Sequence, residues 1–434
     1  MKVAFTRGSF TALTDDTGSL EEDVLFLLTS QNRKYYEQLA HKPETITPTE
    51  LISYWHLDML KTVGVTGTNG KTTVTAALYS FLLDLGEKPA LQGTRGFFAG
   101  EERLEEKAMT TPSILETLQH MKMALDHGCN YFIMEVSSHA IDQKRIEGIT
   151  FALKVHTNVT RDHLDYHGTV EEYRRVKSLF FEDDSPKLLN KDDIKHITFN
   201  PKNALTYGVD EPATFKVQAF SMAHGLTAGI KYLDQEETFH SPMMGLFNLF
   251  NLMAAVGAVT MLTGRPLVEV CEAVEHFGGV AGRMEVVSRN PLVIVDFAHT
   301  DDGMYQVLSA MKDRDIVVVF GAGGDRDREK RPRMGAVAGR FAKKIYVTSD
   351  NPRSEVPEMI LEDILAGLGG KEHVTATPDR KLAITMALEA LEENEVLLIL
   401  GKGDETYQEI KGTKHPFDDR VIVREYLDSD SRGQ

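Results

Sequence analysis

Cysteine, tryptophan and positive charge are all scarce in this chain. Among 434 residues there are two cysteines, one tryptophan, and 48 basic residues against 65 acidic ones, for a net charge of −17. Two isolated cysteines exclude a disulfide framework and a cysteine-ligated zinc site, so we interpret Cys129 and Cys271 as core thiols. An acidic chain does not suit nucleic acid as a partner, because phosphate backbones require a basic surface.

Long hydrophobic runs are also missing. No uninterrupted apolar stretch approaches the roughly 20 residues of a membrane span, and the N-terminus lacks the charged and then apolar pattern of a signal peptide. We therefore expect a cytoplasmic protein without a membrane span, and we expect it to act as a monomer.

Strand-like runs alternate with helix-like runs over most of the chain, which is typical of parallel sheets built from βαβ units. The predicted strands cover residues 61–66, 131–136, 153–158, 292–298, 315–320, 344–348 and 396–400. Between residues 199 and 247 the segments are short and show little helical periodicity, which predicts an antiparallel excursion on the central sheet. A helix is predicted over residues 245–262.

The chain is too long for one hydrophobic core, and a glycine-rich hinge at residues 278–282 marks a domain boundary. We expect an α/β protein of three domains. Residues 1–60 are expected to form a small α/β N-terminal unit. Residues 61–282 should form a central P-loop ATPase domain with a mostly parallel sheet, and residues 283–434 a C-terminal Rossmann-like domain.

The loop that follows the strand at residues 61–66 predicts nucleotide binding. Backbone N–H groups of such a glycine loop face phosphate oxygens, while Lys71 can reach the β/γ-phosphates and Thr72 can hold Mg²⁺. Only two residues separate Gly67 from Gly70, whereas the common P-loop has four. Because a strand precedes the loop and a helical run follows it, we favour phosphate binding over a chance Gly-Lys-Thr.

Two further strand ends in the central region carry dense polar segments. Glu135, in the segment MEVSSH, offers a carboxylate to Mg²⁺, although a polar cap on the strand end is the alternative. His163 lies in the segment TNVTRDHLDYH, whose density of polar groups favours a site. Lys177 follows in a helical run, and by spacing alone it is an exposed or half-buried helix lysine.

The last third of the chain contains three more loops of this kind. The loop GAGGDRDR has the wrong glycine spacing for NAD, so we reject that function. Arg326 in this loop and Arg353 in the loop DNPRSE present guanidinium groups suited to bidentate capture of carboxylates, and a surface salt bridge is the alternative for each. The loop GKGDE at residues 401–405 could receive an ammonium group. Together these groups suit a zwitterionic amino acid.

From about residue 62 to residue 420, the motifs and their order resemble those of the Mur ligase family. They are GTNGKTT (67–73), TTP (110–112), EVSSHA (135–140), NVTRDHLDYHG (158–168), FNLFN (247–251), GRME (282–285), VDFAHT (295–300), GGDRD (323–327), KRPRM (330–334), DNPR (350–353) and GKGDE (401–405). Within the family, the chain is similar to the ligases that add the third residue to UDP-N-acetylmuramoyl-L-Ala-D-Glu in peptidoglycan precursor synthesis.

The resemblance implies ATP-dependent amide synthesis through an acyl phosphate, with Mg²⁺ as cofactor. Thr72 and the phosphates would hold one Mg²⁺, and Glu135, His163 and a carbamylated Lys177 (N6-carboxylysine) would hold a second. Lys71, Glu135, His163 and Lys177 would be the catalytic residues. The implied contacts are Gly67, Thr68, Asn69, Gly70, Lys71, Thr72, Thr73, Asn251, Arg283 and Asp296 for ATP; Thr110, Thr111, Ser137, Gln143 and Arg145 for the UDP-sugar peptide; and Arg326, Asp350, Asn351, Arg353, Gly401 and Glu405 for the incoming amino acid.

The resemblance also implies which amino acid is added. In the family, an arginine at the position of Arg353 accompanies meso-diaminopimelate, whose distal carboxylate it binds. Lysine has no such carboxylate and would leave a buried Arg353 unpaired, at a cost of roughly a few kcal/mol. We expect meso-diaminopimelate. The alternatives are addition of L-lysine, a folylpolyglutamate-type synthetase, and a P-loop ATPase without ligase activity.

The chain departs from the family pattern in four places. The region before the P-loop is much shorter than the usual uridine-binding domain. Val176 stands where alanine usually precedes the modified lysine, and Ala281 stands where a proline commonly precedes Gly-Arg. Asp404 replaces the histidine of the family's last motif, which alters the charge expected around the incoming amine.

Overall fold

The computed structural model describes residues 1–106, 109–223 and 225–430, and these residues form three large successive sheets and one two-stranded sheet. The first sheet has four strands in the order β1-β2-β3-β4. Its elements are β1 (Lys2–Arg7), β2 (Phe10–Thr14), β3 (Val24–Leu27), α1 (Arg33–Tyr36), β4 (Thr45–Ile46) and α2 (Pro48–Tyr54). Helix α2 begins at a capping box in which Thr47 and Glu50 satisfy each other's backbone N–H groups.

The second sheet is the largest, with eleven strands in the order β15-β14-β13-β12-β11-β10-β5-β9-β6-β7-β8. Its strands are β5 (Lys61–Thr66), β6 (Pro89–Gly93), β7 (Gly96–Ala99), β8 (Glu102–Glu105), β9 (Tyr131–Glu135), β10 (Leu153–His156), β11 (Lys187–Asn190), β12 (Ala204–Gly208), β13 (Phe215–Ser221), β14 (Leu226–Tyr232) and β15 (Gln235–Ser241). Strands β6, β9, β5, β10, β11, β12 and β13 run parallel. The antiparallel excursion is present as β13, β14 and β15.

The helices of this region cover both faces of the second sheet. They are α3 (Lys71–Asp84), α4 (Ile114–Asp126), α5 (Ser138–Asp142), α6 (Leu164–His167), α7 (Val170–Leu179), α8 (Leu246–Thr263) and α9 (Leu267–Glu275). One hydrophobic cluster joins α3, α8 and α9 to one face. A second cluster joins the other face to the first sheet, through residues such as Leu13, Leu25 and Phe132. The small N-terminal unit therefore shares its core with the central sheet.

Helix α8 is, among the described residues, the one helix long and apolar enough to cross a membrane by length and composition. Within it, 67% of the apolar window is buried inside the protein. Its buried side chains belong to the same cluster as those of α3 and α9.

The third sheet has six strands in the order β16-β17-β21-β18-β19-β20, all parallel except β16. Its elements are β16 (Glu285–Arg289), β17 (Leu292–Asp296), α10 (Asp301–Ala310), β18 (Asp315–Phe320), α11 (Lys330–Phe341), β19 (Ala342–Val347), α12 (Pro357–Leu365), β20 (Val374–Ala376), α13 (Arg380–Glu389), β21 (Glu395–Leu400) and α14 (Asp419–Asp430). A hairpin of β22 (Tyr407–Ile410) and β23 (Thr413–Pro416) lies beside it. The predicted α/β class is confirmed, with helices on both faces of a mostly parallel sheet.

The strand at residues 292–298 ends two residues earlier than predicted. Asp296 closes β17, and its carboxylate accepts hydrogen bonds from the N–H groups of Met284 (2.7 Å) and Ala298 (2.7 Å). The backbone therefore turns at Asp296 and cannot continue the ladder.

Candidate active site

The nucleotide loop lies between β5 and α3, where Gly70 adopts φ 87°. Asn158 holds the loop from the end of the neighbouring strand. Its carbonyl accepts from the Thr68 N–H (2.7 Å), and its side-chain oxygen accepts from the Asn69 N–H (3.0 Å). The Lys71 ammonium donates to the carbonyls of Gly67 (2.8 Å) and Thr68 (3.0 Å), so it is folded back on its own loop. Enclosure in the cleft lowers the pKa of Lys71.

Glu135 ends β9 directly beside this loop and is 1% exposed. Its carboxylate accepts from the Thr72 hydroxyl (3.0 Å) on one oxygen and from the Thr94 N–H (2.8 Å) on the other. Gly93 packs against the same carboxylate, and a Cβ there would overlap it. A buried carboxylate and a threonine hydroxyl thus lie together at the start of α3, where the phosphate groups of a bound nucleotide would lie.

His163 lies on the other side of the nucleotide loop, in the left-handed region at φ 52°. Its Nε2 is 3.4 Å from the Asp162 carboxylate. Burial raises the pKa of Asp162, but His163, His299 and Lys71 outweigh it and hold that pKa below its usual range. Strained backbone at a polar loop is a feature of functional sites.

Lys177 lies beneath the nucleotide loop on α7 and is 1% exposed. Its ammonium donates to the Gly67 carbonyl (2.9 Å) and approaches the Thr66 hydroxyl (3.4 Å). Burial and the nearby Lys71 charge hold its pKa well below the usual range. The structure therefore rejects the sequence-based interpretation of Lys177 as an exposed or half-buried helix lysine.

The carboxyl ends of β19 and β21 carry a polar network at the far side of the cleft. Lys402 is fully buried and donates to Asn351 (3.0 Å) and Glu405 (2.9 Å), and the Asn351 amide donates to the same Glu405 oxygen (2.9 Å). Asp350 is 7% exposed, and its Oδ2 has no hydrogen-bond partner among the described residues. That orphaned oxygen can accept from an ammonium group of a ligand.

Two arginines border this network. Arg353 adopts φ 51°, donates to the Gly324 carbonyl (2.7 Å) and lies 3.4 Å from the Glu409 carboxylate. Arg326 donates to the Asp325 carbonyl (3.3 Å), and among the described residues it forms no ion pair. A surface salt bridge alone therefore describes neither arginine. Both side chains line a cavity that also contains the nucleotide loop.

A buried ion pair supports the loops that carry this network. Arg380 on α13 and Asp419 at the start of α14 are fully buried and joined by two hydrogen bonds of 2.8 Å and 2.7 Å. Arg380 also donates to the carbonyls of Leu400 (3.0 Å) and Ser349 (3.3 Å), the residues that precede the two loops. The pair therefore fixes both strand ends at once.

One cavity of about 680 Å³ runs from the nucleotide loop to this network. The predicted site residues that line it are Thr68, Asn69, Gly70, Lys71, Thr72, Thr73, Thr110, Glu135, His163, Asn251, Arg283, Asp296, Arg326, Asp350, Asn351, Arg353, Gly401 and Glu405. Six predicted site residues do not line it, namely Gly67, Thr111, Ser137, Gln143, Arg145 and Lys177. Gly67 and Lys177 lie behind the nucleotide loop, and the other four form a separate cluster.

This separate cluster joins α5 to the loop before α4. The Thr111 hydroxyl accepts from the Ser137 N–H (3.0 Å), and the Thr111 carbonyl accepts from Arg145 (2.9 Å). Arg145 also donates to the Gln143 side chain (2.7 Å). Thr110 connects the cluster to the cavity, because its hydroxyl lies 3.1 Å from that of Thr94, next to Glu135.

Helix α10, which packs on the third sheet, contacts two loops of the central region across the cavity. Asp302 on α10 accepts from the Asn69 amide of the nucleotide loop (2.9 Å) and from the Thr160 hydroxyl (3.1 Å). Within the third region itself, Arg283 packs over the Phe297 ring at 4.3 Å, and both residues line the cavity. Through Asp302, residues that follow β17 thus contact the nucleotide loop.

Sequence reasoning missed several residues of the cavity and its network: Asp162, His299, Asp302, Lys330 and Lys402. Four of them lie inside recognised motifs, since Asp162 precedes His163 and the others belong to VDFAHT, KRPRM and GKGDE. Asp302 lies two residues beyond VDFAHT, and its partner Asn69 is 233 residues away. Only the folded chain shows that they meet.

Comparison with known proteins gives consistent matches along the whole chain. Residues 65–259 match the family described as Mur ligase middle domain, and residues 282–403 match Mur ligase, glutamate ligase domain. A Wolinella succinogenes protein named UDP-N-acetylmuramoyl-L-alanyl-D-glutamate–2,6-diaminopimelate ligase is 51% identical over 98% of this chain and 98% of its own. The Helicobacter hepaticus protein of the same name is 49% identical, again over 98% of each. A solved structure with this name is 30% identical, with a TM-score of 0.68 over 96% of this chain and 95% of that one.

Proposed function

The chain belongs to the Mur ligase family, and we propose that it joins meso-diaminopimelate to the D-Glu γ-carboxylate of UDP-N-acetylmuramoyl-L-Ala-D-Glu, with ATP converted to ADP and phosphate. It is an ATP-dependent carbon–nitrogen ligase of peptidoglycan synthesis. The observation that carries the assignment is the single cavity that holds both Lys71 of the nucleotide loop and Arg353 of the amino-acid loops. We place the reaction in the cytoplasm, and we propose that a monomer suffices because one chain supplies every group.

The reaction proceeds in two displacements. A γ-carboxylate oxygen of the acceptor attacks the γ-phosphorus, and the bond to the β,γ-bridging oxygen breaks, with its electron pair leaving on ADP. The amine nitrogen then attacks the acyl carbon of the resulting acyl phosphate. The carbon–oxygen bond to phosphate breaks, inorganic phosphate leaves with the electron pair, and the amine loses a proton. Closure of the cavity excludes water, which would otherwise hydrolyse the acyl phosphate.

The residues beside the nucleotide loop fit Mg²⁺. The buried Glu135 carboxylate and the Thr72 hydroxyl are hard oxygen donors 3.0 Å apart, and no basic side chain forms an ion pair with Glu135 among the described residues. Thr72, Glu135, His163 and a carbamylated Lys177 would hold the ions. Bound there, Mg²⁺ screens the acceptor carboxylate from the triphosphate, two anions that must otherwise repel.

Burial of Lys177 supports its carbamylation. Only the neutral amine reacts with CO₂, and burial beside Lys71 favours the neutral form. The product is an anion with two oxygen donors, which suits a metal ligand. The side chain must then move from the Gly67 carbonyl toward Glu135 and His163, because Lys177 does not line the cavity with them.

The amino-acid loops support diaminopimelate over lysine. The Arg326 and Arg353 guanidinium groups line the cavity together with the orphaned Asp350 oxygen, so both cationic and anionic groups face the amino acid. Diaminopimelate offers two carboxylates and two ammonium groups, whereas lysine offers one carboxylate. Asn351, Gly401 and Glu405 would complete the contacts.

We assign the UDP-sugar peptide to the cluster of Thr110, Thr111, Ser137, Gln143 and Arg145, which adjoins Glu135 through Thr110. Residues 1–60 would hold the uridine end, residues 61–282 would hold ATP, and residues 283–434 would hold the amino acid. Asn251, Arg283 and Asp296 line the cavity around the nucleotide loop and would contact the nucleoside.

The test is phosphate release from ATP in the presence of the UDP-sugar dipeptide, with meso-diaminopimelate and L-lysine compared at equal concentration. Turnover that requires both the dipeptide and diaminopimelate is expected. Equal turnover with lysine would overturn the specificity, and ATP hydrolysis indifferent to both substrates would overturn the ligase assignment.

A further inference from the structure

Lys330 is a cation of the cavity without a role in the scheme above. It is the first residue of α11, lines the cavity, and donates to the His299 carbonyl at 3.1 Å. Among the described residues it forms no ion pair within 4 Å. Arg333, on the same helix, differs because it lies 3.2 Å from the Asp301 carboxylate. Lys330 is therefore a cation that remains available to a ligand.

The surroundings of Lys330 place its ammonium between the two halves of the site. Burial lowers the pKa of Lys330, and the carboxylates that oppose this shift include Asp162, beside the nucleotide loop, and Asp350, in the amino-acid loops. The reacting carboxylate, phosphoryl group and amine must meet between these two loops, since each loop holds one partner.

The position of Lys330 on its helix is unfavourable without an anion. The N-terminus of a helix carries a partial positive charge, so a lysine in the first turn is repelled by the helix dipole. Glu329, the residue before the helix, turns instead toward Arg161 (3.0 Å) and makes no side-chain cap. An anion in the cavity would face the Lys330 ammonium at the positive end of α11.

We propose that Lys330 is a further catalytic residue, whose ammonium binds the phosphoryl group while it passes from ATP to the acceptor carboxylate. This inference rests on the proposed function. During the transfer, the bond between the γ-phosphorus and the acceptor oxygen forms while the bond to the β,γ-bridging oxygen breaks. Negative charge lies on the three remaining phosphoryl oxygens throughout, and a preorganised ammonium stabilises that charge in an enclosed site.

Positional isotope exchange in ATP isolates this first step. With the UDP-sugar dipeptide present and diaminopimelate absent, reversible transfer scrambles a label between the β,γ-bridging and non-bridging positions. Lys330→Gln removes the charge, but the glutamine amide can still donate to the His299 carbonyl. We therefore expect this variant to fold, and its unfolding temperature tests that. Lys330→Arg keeps the charge in a different shape. Lys381→Met, an exposed lysine of α13, is the matched control.

We expect Lys330→Gln to lose exchange and overall turnover by about 100-fold or more, with an unchanged KM for diaminopimelate. Lys330→Arg should keep a larger share of the exchange, and Lys381→Met should match the unmodified enzyme. Exchange by Lys330→Gln at the unmodified rate would overturn the inference. Unchanged exchange with a raised KM for diaminopimelate would also overturn the inference. In that case the Lys330 ammonium would bind a carboxylate of the amino acid and not the phosphoryl group. If the unmodified enzyme shows no dipeptide-dependent turnover, the proposed function itself fails.

Discussion

Arg353 is the residue to which we assign the selection of the amino acid. Its backbone lies at φ 51°, and its guanidinium reaches the cavity past the Gly324 carbonyl. We predict that Arg353→Met raises the KM for diaminopimelate roughly 10- to 200-fold, because the distal carboxylate loses a charged hydrogen-bond partner. Steady-state kinetics with each substrate varied in turn measures this.

The KM for ATP should stay unchanged in this variant. Arg314→Met serves as the control, because Arg314 is exposed and precedes the amino end of β18, whereas the amino-acid loops follow the carboxyl ends of the strands. An Arg353→Met enzyme with an unaltered KM for diaminopimelate would contradict the assigned contact.

Lys177 carries the second prediction at this scale. Because burial favours the neutral amine, protein equilibrated with ¹³C-labelled CO₂ should show one carbamate resonance by ¹³C NMR. Lys177→Met should lack the resonance and the ligase activity. The exposed Lys195 provides the control, and Lys195→Met should keep both. A Lys177→Met enzyme that still shows the resonance would place the carbamate elsewhere.

Residues differ in how well the sequence predicts them. The positions of the nucleotide loop and of Glu135 could be predicted, because the loop follows β5 and Glu135 ends β9. In both cases the neighbouring residues in the sequence are enough to indicate the site. Asp302 was not predictable, because its partners Asn69 and Thr160 lie in loops that are more than 140 residues away in the sequence. Lys402 was missed because its burial depends on Asn351, which belongs to another loop. The roles assigned to the site residues stay predictions.

At the scale of elements, the junction of β6 and β9 sets the position of Glu135. Gly93 ends β6 and lies against the Glu135 carboxylate, where a Cβ would overlap it. We predict that Gly93→Ala displaces the carboxylate and lowers kcat by about 100-fold, since a misplacement of about 1 Å is costly in an active site. Gly229→Ala on β14, where a Cβ meets only ordinary contacts, should leave kcat unchanged. Equal kcat values for the two variants would contradict this account.

The start of α11 is tied to the loop before α12 by a pH-sensitive ion pair. Arg331 is fully buried and donates to Glu355 at 2.8 Å and 3.0 Å, and these bonds lower the pKa of Glu355 to about 2. Because the folded pKa lies below the unfolded value, the pair stabilises the fold above about pH 4.5. This contribution is lost as the pH falls toward about 2.

We therefore predict that Glu355→Gln lowers the free energy of unfolding at pH 7 by about 3 kcal/mol, since Arg331 is left buried and less well paired. The difference from the unmodified protein should shrink between about pH 4.5 and pH 2. Urea denaturation across this pH range measures it. Glu362→Gln, an exposed change on α12, is the control. A difference that does not vary with pH would contradict the assigned pair.

The strand order at this scale was only partly predictable. Alternating strands and helices indicated parallel sheets, and the fold class is confirmed. The hairpin strands β7 and β8 were not predicted, because each has only four residues and β8 is rich in charged residues. The N-terminal region was expected only as a small α/β unit, and its four strands were not predicted. Most of its apolar residues pack against the neighbouring sheet, so its own sequence does not show a complete core.

At the scale of the whole molecule, Asp302 joins the third sheet to the nucleotide loop through Asn69 and Thr160. We predict that Asp302→Ala loosens this contact and raises the radius of gyration of the nucleotide-free protein, as measured by small-angle X-ray scattering. Asp313→Ala, an exposed change after α10, should not alter the scattering. Identical curves for all three proteins would show that Asp302 does not hold the domains together.

The buried pair of Arg380 and Asp419 has a consequence for how the enzyme is made. The nucleotide loop belongs to the first part of the chain to leave the ribosome, and domains fold in that order during synthesis. The amino-acid loops end β19 and β21, but the ion pair that fixes them needs Asp419, which is synthesised later than both. A nascent chain can thus form its nucleotide loop well before it can receive an amino acid. Ribosomes paused before Asp419 should carry a folded nucleotide domain that cannot yet complete the ligation.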